Sequence, residues 1–181
     1  MVEENKAVAK DIENKVSNAV SEKTEIGIYL KIDLKKYIGT SESGNITETA
    51  KPVEIRMELP AALKKTGSTI AREYSVVRIH DGAVEILEVN FDGVNISFLT
   101  DRFSDYVIVY TDLAYGDVNG DGSVTLHDLL RLGKNIAWIE GTFIYKAAAD
   151  VNVDGKVTLH DLLRLGKSIA GIEGVVLGKA S

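Results

Sequence analysis

The sequence predicts a chain of two modules: an all-β sandwich of immunoglobulin-like shape preceded by a helix, and then a small all-α module. Two different periods of apolar residues carry this prediction. Apolar and polar residues alternate between Thr24 and Asp112, which is the period of a strand. Beyond residue 112 the apolar residues recur every three or four positions, as on a helix, and they do so twice. We therefore assign residues 1–23 to a helix and linker, 24–112 to the β module and 113–181 to the α module.

The strands of the β module are predicted from alternation and from turn residues. Val53 to Leu59 alternates cleanly before Pro60, and Asp-Gly pairs at Asp81 and Asp92 indicate hairpins. The stretch from Tyr106 to Tyr110 is almost wholly apolar, which suits the centre of a sheet. Residues 40–50 are polar and contain glycine, so we expect a loop there. Six or seven short strands in about 90 residues are typical of an antiparallel sandwich.

Composition excludes several classes of protein. The 181 residues carry a net charge of −6 and show no basic stripe, which disfavours nucleic-acid binding. No apolar run approaches the roughly 18 residues of a membrane helix. The chain has no cysteine, so disulfides and thiolate sites are excluded. The first residues lack the apolar core of a signal peptide, which is compatible with a cytosolic protein or with a fragment of a secreted one.

One segment of 25 residues occurs twice, beginning at Asp117 and at Asp150, and the copies differ at four positions. Each copy places oxygen-bearing side chains at positions 1, 3, 5, 9 and 12, with glycine at position 6. Ca²⁺ takes about six to eight oxygens, and a twelve-residue loop of this spacing can surround it, with position 7 giving its backbone carbonyl. Gly122 and Gly155 suit the sharp turn, where φ must be positive. The predicted ligands are Asp117, Asn119, Asp121, Ser123, Thr125, Asp128, Asp150, Asn152, Asp154, Lys156, Thr158 and Asp161.

A simpler interpretation is a pair of solvated turns that only cap helices. The exact register of the two copies favours two calcium ions over this alternative. Helices are predicted to begin near Thr125 and Thr158, and a short helix over 142–149 is predicted to bring Phe143 and Ile144 into the core. Because the core of such a small module is marginal, we expect bound metal to supply much of its folding free energy.

The repeat resembles the dockerin module of bacterial cellulosome proteins, from Tyr115 to Lys179. Two Asp-x-Asn-x-Asp-Gly loops with aspartate at position 12, each followed by one helix (an F-hand), carry the resemblance. Ordinary EF-hands usually have glutamate at position 12 and a helix before the loop. Here a strand precedes Asp117, which separates this chain from calmodulin-like sensors. By order and size, the β module looks like the X modules that accompany some dockerins.

The resemblance implies calcium-dependent binding of a cohesin, which is a β-sandwich receptor on scaffolding or cell-surface proteins. It also implies a secreted, bacterial, surface-associated setting and polysaccharide degradation as the wider context. The chain would attach its parent protein to the scaffold, with the X-like module as a stabilising or spacer partner. Leu-His at loop positions 10 and 11 stands where the best-known cellulase dockerins have Ser-Thr, and indicates a more hydrophobic interface.

The residues that the resemblance places at the partner surface recur in both copies, on one side of each helix. If both helices present the same surface, the partner could bind in two orientations about 180° apart, with Trp138 against Gly171 as the main asymmetry. The predicted partner-binding residues are Leu126, His127, Leu130, Arg131, Lys134, Trp138, Leu159, His160, Leu163, Arg164 and Lys167.

Two other functions compete with this one. The first is a calcium-stabilised surface module, or folding switch, without a cohesin partner. The second is an enzyme, which the residues disfavour because no nucleophile and base stand together. His80 and Asp81 are neighbours, yet a hairpin turn explains them without any chemistry.

Overall fold

A computed structural model describes residues 6–64 and 67–178 of the chain. The chain divides into two compact units. Unit 1 comprises Met1–Lys64 and Tyr74–Tyr110, and unit 2 comprises Lys65–Glu73 and Thr111–Ser181. The division crosses two long strands, so a few residues at the end of each belong to unit 2.

The helices and strands follow one another along the chain in an order that changes from β to α after residue 114. They are α1 (Lys6–Ala19), β1 (Thr24–Lys31), β2 (Leu34–Ile38), β3 (Ser41–Ile46), β4 (Glu48–Glu58), a 3₁₀ turn (Ala61–Leu63), β5 (Ile70–His80), β6 (Ala83–Leu87), β7 (Val89–Phe91), β8 (Asn95–Arg102), β9 (Asp105–Ala114), α2 (Leu126–Ile136), α3 (Lys146–Ala149) and α4 (Leu159–Ile169).

The β-rich part forms three sheets. One has four strands in the order β1-β9-β5-β6, one has three in the order β4-β8-β7, and β2 pairs with β3 alone. A core cluster draws residues from both larger sheets, among them Val76, Ile96, Phe98 and Ile108. The prediction of a β module with an N-terminal helix is therefore confirmed, while its immunoglobulin-like shape stays a prediction.

Strand β9 is apolar from Tyr106 to Tyr110 because both of its faces are covered there. Ile108 joins the cluster between the sheets, whereas Val107 and Val109 pack with Val16 of helix α1 on the opposite face. A strand buried on both sides loses the alternation of a half-exposed one. The helix predicted within residues 1–23 is thus confirmed for Lys6–Ala19, and residues 1–5 lie outside the described part of the chain.

Both predicted Asp-Gly hairpins form. His80 pairs with Ala83 across a two-residue turn in which Asp81 and Gly82 have φ of 48° and 80°. Positive φ at both central residues matches the right-handed twist of the flanking strands. At the second hairpin, Phe91 pairs with Ile96 across four residues.

The prediction of a loop over residues 40–50 is wrong. Ser41–Ile46 is strand β3, which pairs with β2, and β4 begins at Glu48. Nearly every side chain of β2 and β3 is exposed, so neither face imposes an apolar alternation on the sequence. Backbone pairing and the Lys35–Glu42 ion pair at 3.1 Å hold this hairpin instead.

Unit 2 has a small core between its helices. Val118, Leu132, Val151 and Leu165 are fully buried there, and Ile144 joins them. The predicted short helix is confined to Lys146–Ala149, and Phe143 is 61% exposed, so its predicted core position is wrong. Among the described residues, none of the helices has the length and hydropathy that crossing a membrane requires.

Candidate calcium loops and partner-binding helices

Asp128 closes the first loop by joining its two ends. One carboxylate oxygen accepts from the Asn119 amide at 3.0 Å, and the other accepts from the Thr125 amide at 2.8 Å. Thr125 is the N-cap of α2, and its hydroxyl accepts from the His127 amide. Such a capping box satisfies amides that a helix start leaves unpaired. The position-12 carboxylate is therefore placed, fully buried, by the helix that follows it.

The second loop repeats this arrangement. Asp161 accepts from the Asn152 amide at 3.2 Å and from the Thr158 amide at 2.8 Å, and it too is fully buried. Thr158 caps α4 with the same backbone angles as Thr125 in the first copy, within about 1°. Near-identical sequence has produced near-identical local geometry.

In the middle of each loop, side-chain oxygens accept hydrogen bonds from backbone amides two residues farther along the chain. Asn119 accepts from the Asp121 amide at 2.7 Å, and Asp121 accepts from the Ser123 amide at 2.9 Å. In the second loop, Asn152 and Asp154 accept in the same way at 2.9 Å each. The positive φ predicted for position 6 is confirmed, with 96° at Gly122 and 85° at Gly155.

The buried side chain of Asp117 indicates that the first loop can hold a cation. Its side chain is buried; one oxygen accepts from the Gly122 amide at 3.0 Å, and the other has no hydrogen-bond partner among the described residues. Burial raises the pKa of this carboxyl, and the carboxylates of Asp128 and Asp121 raise it further. A buried carboxylate oxygen without a donor is costly, and a bound cation would relieve that cost.

Asp150 is less buried than Asp117 and differs from it in its hydrogen bonds. Both of its oxygens accept hydrogen bonds, from the amides of Asp154 at 3.1 Å and Gly155 at 2.9 Å. Burial again raises the pKa, followed by the charges of Asp161 and Asp154. Both loops thus fit a hard cation by their donor chemistry, and the first fits it also by its unpaired oxygen.

Within residues 6–64 and 67–178, no three His, Asp or Glu side chains form a group that could hold a metal by themselves. The loops depend on amide, hydroxyl and backbone oxygens for the remaining positions. The same carboxylates turn towards backbone amides, which occupy part of their hydrogen-bonding capacity.

The two helices pack in a reciprocal way. A side-chain atom added at Gly133 would lie 3.8 Å from Leu162, and one added at Gly166 would lie 3.6 Å from Leu129. Two further contacts are equivalent in the two copies. Arg131 donates to the carbonyl of Phe143, and Arg164 donates to the carbonyl of Val176. Contacts that map onto each other when the copies are swapped are the sign of a twofold relation.

Eight of the eleven predicted partner-binding residues fall into two groups, and Trp138, His160 and Arg164 belong to neither. Leucine and lysine pairs from both helices line one apolar groove of about 870 Å³ between α2 and α4. His127, Arg131 and Lys134 line a separate polar recess with Asn119 and Thr142. The predicted residues that line the groove are Leu126, Leu130, Lys134, Leu159, Leu163 and Lys167.

Sequence reasoning missed other residues of the groove. Ile139 and Ile172 line it just beyond the helix ends, and Gly133 and Gly166 line it where the helices meet. The two isoleucines are 53% and 52% exposed. Both isoleucines occupy the same position of the repeat, and this recurrence could have identified them from the sequence.

Trp138 and Gly171 occupy equivalent positions just after the helices. After α2, the amides of Trp138 and Ile139 donate to the carbonyls of Asn135 and Lys134, which is a Schellman turn. This turn needs a left-handed residue, usually glycine; Gly171 has φ of 70° and Trp138 has φ of 56°. The tryptophan side chain is 91% exposed. A bulky residue thus holds a conformation that favours glycine, without burial to explain it.

Comparison with known proteins adds an independent observation. Residues 115–170 match the family model of the dockerin type I domain. No curated protein and no solved structure matches the chain. Dockerins are non-catalytic modules that bind calcium and cohesins, and they are typical of extracellular cellulosome proteins. The two loops, their helices and this match together identify the C-terminal part of the chain as a dockerin module.

Proposed function

We propose that the chain attaches its parent protein to a scaffold or cell-surface protein by binding a cohesin through α2 and α4. The observation that carries this proposal is the exposed apolar groove on a module whose sequence matches the dockerin family. Exposed apolar patches of this kind mark interaction surfaces. The polysaccharide-degrading context and surface localisation belong to the same proposal.

Two calcium ions support that surface, one in each F-hand. The first would be held by Asp117, Asn119, Asp121, Thr125, Asp128 and the carbonyl of Ser123. The second would be held by Asp150, Asn152, Asp154, Thr158, Asp161 and the carbonyl of Lys156. When bound, each ion supplies positive charge to carboxylates that otherwise repel one another. Because Asp128 and Asp161 also cap α2 and α4, ion binding and helix position are coupled.

We also propose that the β module, residues 24–112, stabilises the dockerin module that follows it. Within unit 2, Glu73 of β5 accepts from the Ala147 amide of α3 at 2.6 Å. The Tyr115 amide donates to the Thr69 carbonyl at 3.4 Å. Replacing Glu73 by alanine should lower the melting temperature of the calcium-loaded dockerin; an unchanged temperature would leave the β module as a spacer.

Isothermal calorimetry against a panel of purified cohesins tests the proposed function. With Ca²⁺, at least one cohesin should bind the full chain in a one-to-one complex, and EDTA should abolish the heat signal. If no cohesin binds while the chain is folded and calcium-loaded, the alternative of a calcium-stabilised surface module without a cohesin partner is favoured.

A further inference from the structure

The two loops differ at the residue that follows their position-3 asparagine. Asn119 precedes Gly120 in the first loop, whereas Asn152 precedes Val153 in the second. No other asparagine of the sequence precedes a glycine. Asparagine is a chemically labile residue, and it loses its side-chain amide most readily before glycine, whose backbone is flexible and whose nitrogen is unhindered. The first loop therefore contains a candidate site of spontaneous modification that has no equal in the second.

The reaction at this site is a ring closure within the chain. The backbone nitrogen of Gly120 attacks Cγ of Asn119, the Cγ–Nδ2 bond breaks, and the amide proton passes through solvent to the ammonia that leaves. Water then opens the succinimide ring. Addition at Cγ gives aspartate, whereas addition at the backbone carbonyl carbon gives isoaspartate, in which the main chain runs through Cβ and Cγ. One water is consumed and one ammonia is released, so no oxidant or other reagent is needed.

The folded loop restrains both reacting groups. Asn119 Oδ1 accepts from the Asp121 amide at 2.7 Å, and Nδ2 donates to Asp121 Oδ2 at 2.8 Å. A side chain held at both of its polar atoms cannot turn freely towards the neighbouring nitrogen. The backbone of Gly120 lies so close to Tyr145 that an added Cβ would be 2.4 Å from the ring, and close packing limits its movement. Ring closure therefore requires the loop to open.

The second loop provides an internal comparison. Asn152 accepts from the Asp154 amide at 2.9 Å and donates to the Asp154 carboxylate at 3.0 Å, so the two asparagines are held alike. The residue that follows is different, because Val153 is β-branched and its side chain crowds the nitrogen that would attack. A difference in rate between the two asparagines thus reports the residue that follows each of them.

We propose that Asn119 is a site of spontaneous deamidation that bound calcium protects. The asparagine is preserved while the first loop is closed around a cation, and it is converted to aspartate and isoaspartate when the loop opens. This inference rests on the calcium binding of the proposed function. Because a cation bound by Asp117, Asn119 and Asp121 lowers the population of the open loop, it slows any reaction that needs opening in the same proportion.

Deamidation would weaken the loop in which it occurs. Both products lack the Nδ2 group that donates to Asp121, and both carry an additional negative charge near that carboxylate. Isoaspartate also lengthens the main chain by one methylene group between loop positions 3 and 4, which shifts Asp117 relative to Asp128. The second loop keeps its ligands. A temporary loss of calcium would thus become a permanent defect in one loop of the pair.

Peptide mass spectrometry of the full chain tests the proposal. Trypsin places Asn119 in the peptide 103–131 and Asn152 in the peptide 147–156, and neither peptide contains another amide side chain. During incubation in EDTA, the mass increase of amide-to-acid conversion should accumulate several-fold faster in the first peptide than in the second. With Ca²⁺ at about 100 times its dissociation constant, the rate at Asn119 should fall about 100-fold. Isomerisation at Asp-Gly pairs leaves the mass unchanged and does not contribute.

Val153→Gly is the matched variant, because it creates the same Asn-Gly pair in the second loop. In EDTA its Asn152 should deamidate at a rate close to that of Asn119, and Ca²⁺ should again protect it. A wild-type Asn119 that reacts no faster than Asn152 in EDTA would overturn the site.

Calcium calorimetry on the same samples separates this inference from the proposed function. Equal rates at Asn119 in EDTA and in Ca²⁺, on a chain that binds Ca²⁺, would overturn the protection. A chain that binds no Ca²⁺ would instead overturn the calcium binding of the proposed function, while the EDTA sample still tests the chemistry of Asn119. After incubation in EDTA and return to Ca²⁺, calcium-binding capacity should fall in proportion to the isoaspartate content; an undiminished capacity would contradict the predicted damage to the first loop.

Discussion

The carboxylates of the β-rich unit and those of the calcium loops are held in opposite electrostatic settings. In unit 1, the pKa of Asp92 is lowered to about 2, chiefly by hydrogen bonds from the amides of Asn95 and Val94. Asp101 also has a lowered pKa, chiefly through its hydrogen bond from Arg78. In unit 2, burial raises the pKa of Asp117 and Asp150, and neighbouring carboxylates add to the effect.

Unit 1 stabilises its own carboxylates with positively charged side chains. Arg78 is 5% exposed and donates to Asp101 at 2.7 Å, to Glu85 and to the Thr100 hydroxyl, so unit 1 carries its own counter-charges. The loops of unit 2 gather acids together, which favours binding of an external cation. Unit 1 is expected to fold by itself, whereas unit 2 is expected to depend on an ion.

Calcium removal should have the largest effect, and it tests directly whether unit 2 depends on an ion while unit 1 does not. With EDTA, we expect the segment 117–177 to unfold while the strands of unit 1 remain intact, because ion binding supplies much of the folding free energy of a small metal domain. Hydrogen exchange with mass spectrometry should show fast exchange across α2 and α4 and protection in β9. A circular dichroism spectrum that EDTA leaves unchanged would contradict this expectation.

Gly120→Ala should destabilise unit 2 by about 2–3 kcal/mol, because it combines a left-handed residue with overpacking. A methyl group at this position would lie 2.4 Å from the ring of Tyr145, and φ is 78°. Gly171→Ala is the matched control, since its φ is 70° but nothing lies within 4 Å; it should cost about 1 kcal/mol. Thermal melts in Ca²⁺ measure both; equal losses would argue against a role of Tyr145 packing.

Trp138→Gly should have a smaller effect on stability, and of the opposite sign. Relief of the left-handed conformation should raise the stability of unit 2 by about 0.5–1 kcal/mol, after the greater entropy of unfolded glycine is subtracted. If the exposed indole contacts the cohesin, affinity should fall at the same time. Melting curves and calorimetry on the same samples decide this; higher stability with unchanged affinity would remove Trp138 from the partner surface.

Acid titration should have the smallest effect and concerns unit 1. Since the pKa of Asp92 is about 2 in the folded state against an ordinary 3.8, the carboxylate form stabilises the fold above pH 3.8. This contribution is lost as the pH falls through about 2. Asp92→Asn removes the titrating group, so the acid-induced loss of stability of unit 1 should be smaller in the variant. Identical acid profiles would show that Asp92 does not contribute.

Local features were predicted well because nearby residues decide them. The hairpin at Asp81-Gly82, the positive φ at Gly122 and Gly155, and the helix starts at Thr125 and Thr158 all depend on a few consecutive residues. The β2–β3 hairpin was missed because both of its faces are exposed, so burial left no pattern in its sequence.

The sequence by itself determined the repeated loops, the caps that hold Asp128 and Asp161, and the apolar stretch from Tyr106 to Tyr110 of β9, because these features depend on a few consecutive residues. Only the tertiary structure decided that the exposed leucines of both copies share one groove, because that depends on how α2 and α4 pack. It also decided that Trp138 adopts the left-handed conformation that its counterpart Gly171 adopts without strain. Two copies of one sequence became two halves of one surface because the helices pack reciprocally, with Leu162 beside Gly133 and Leu129 beside Gly166.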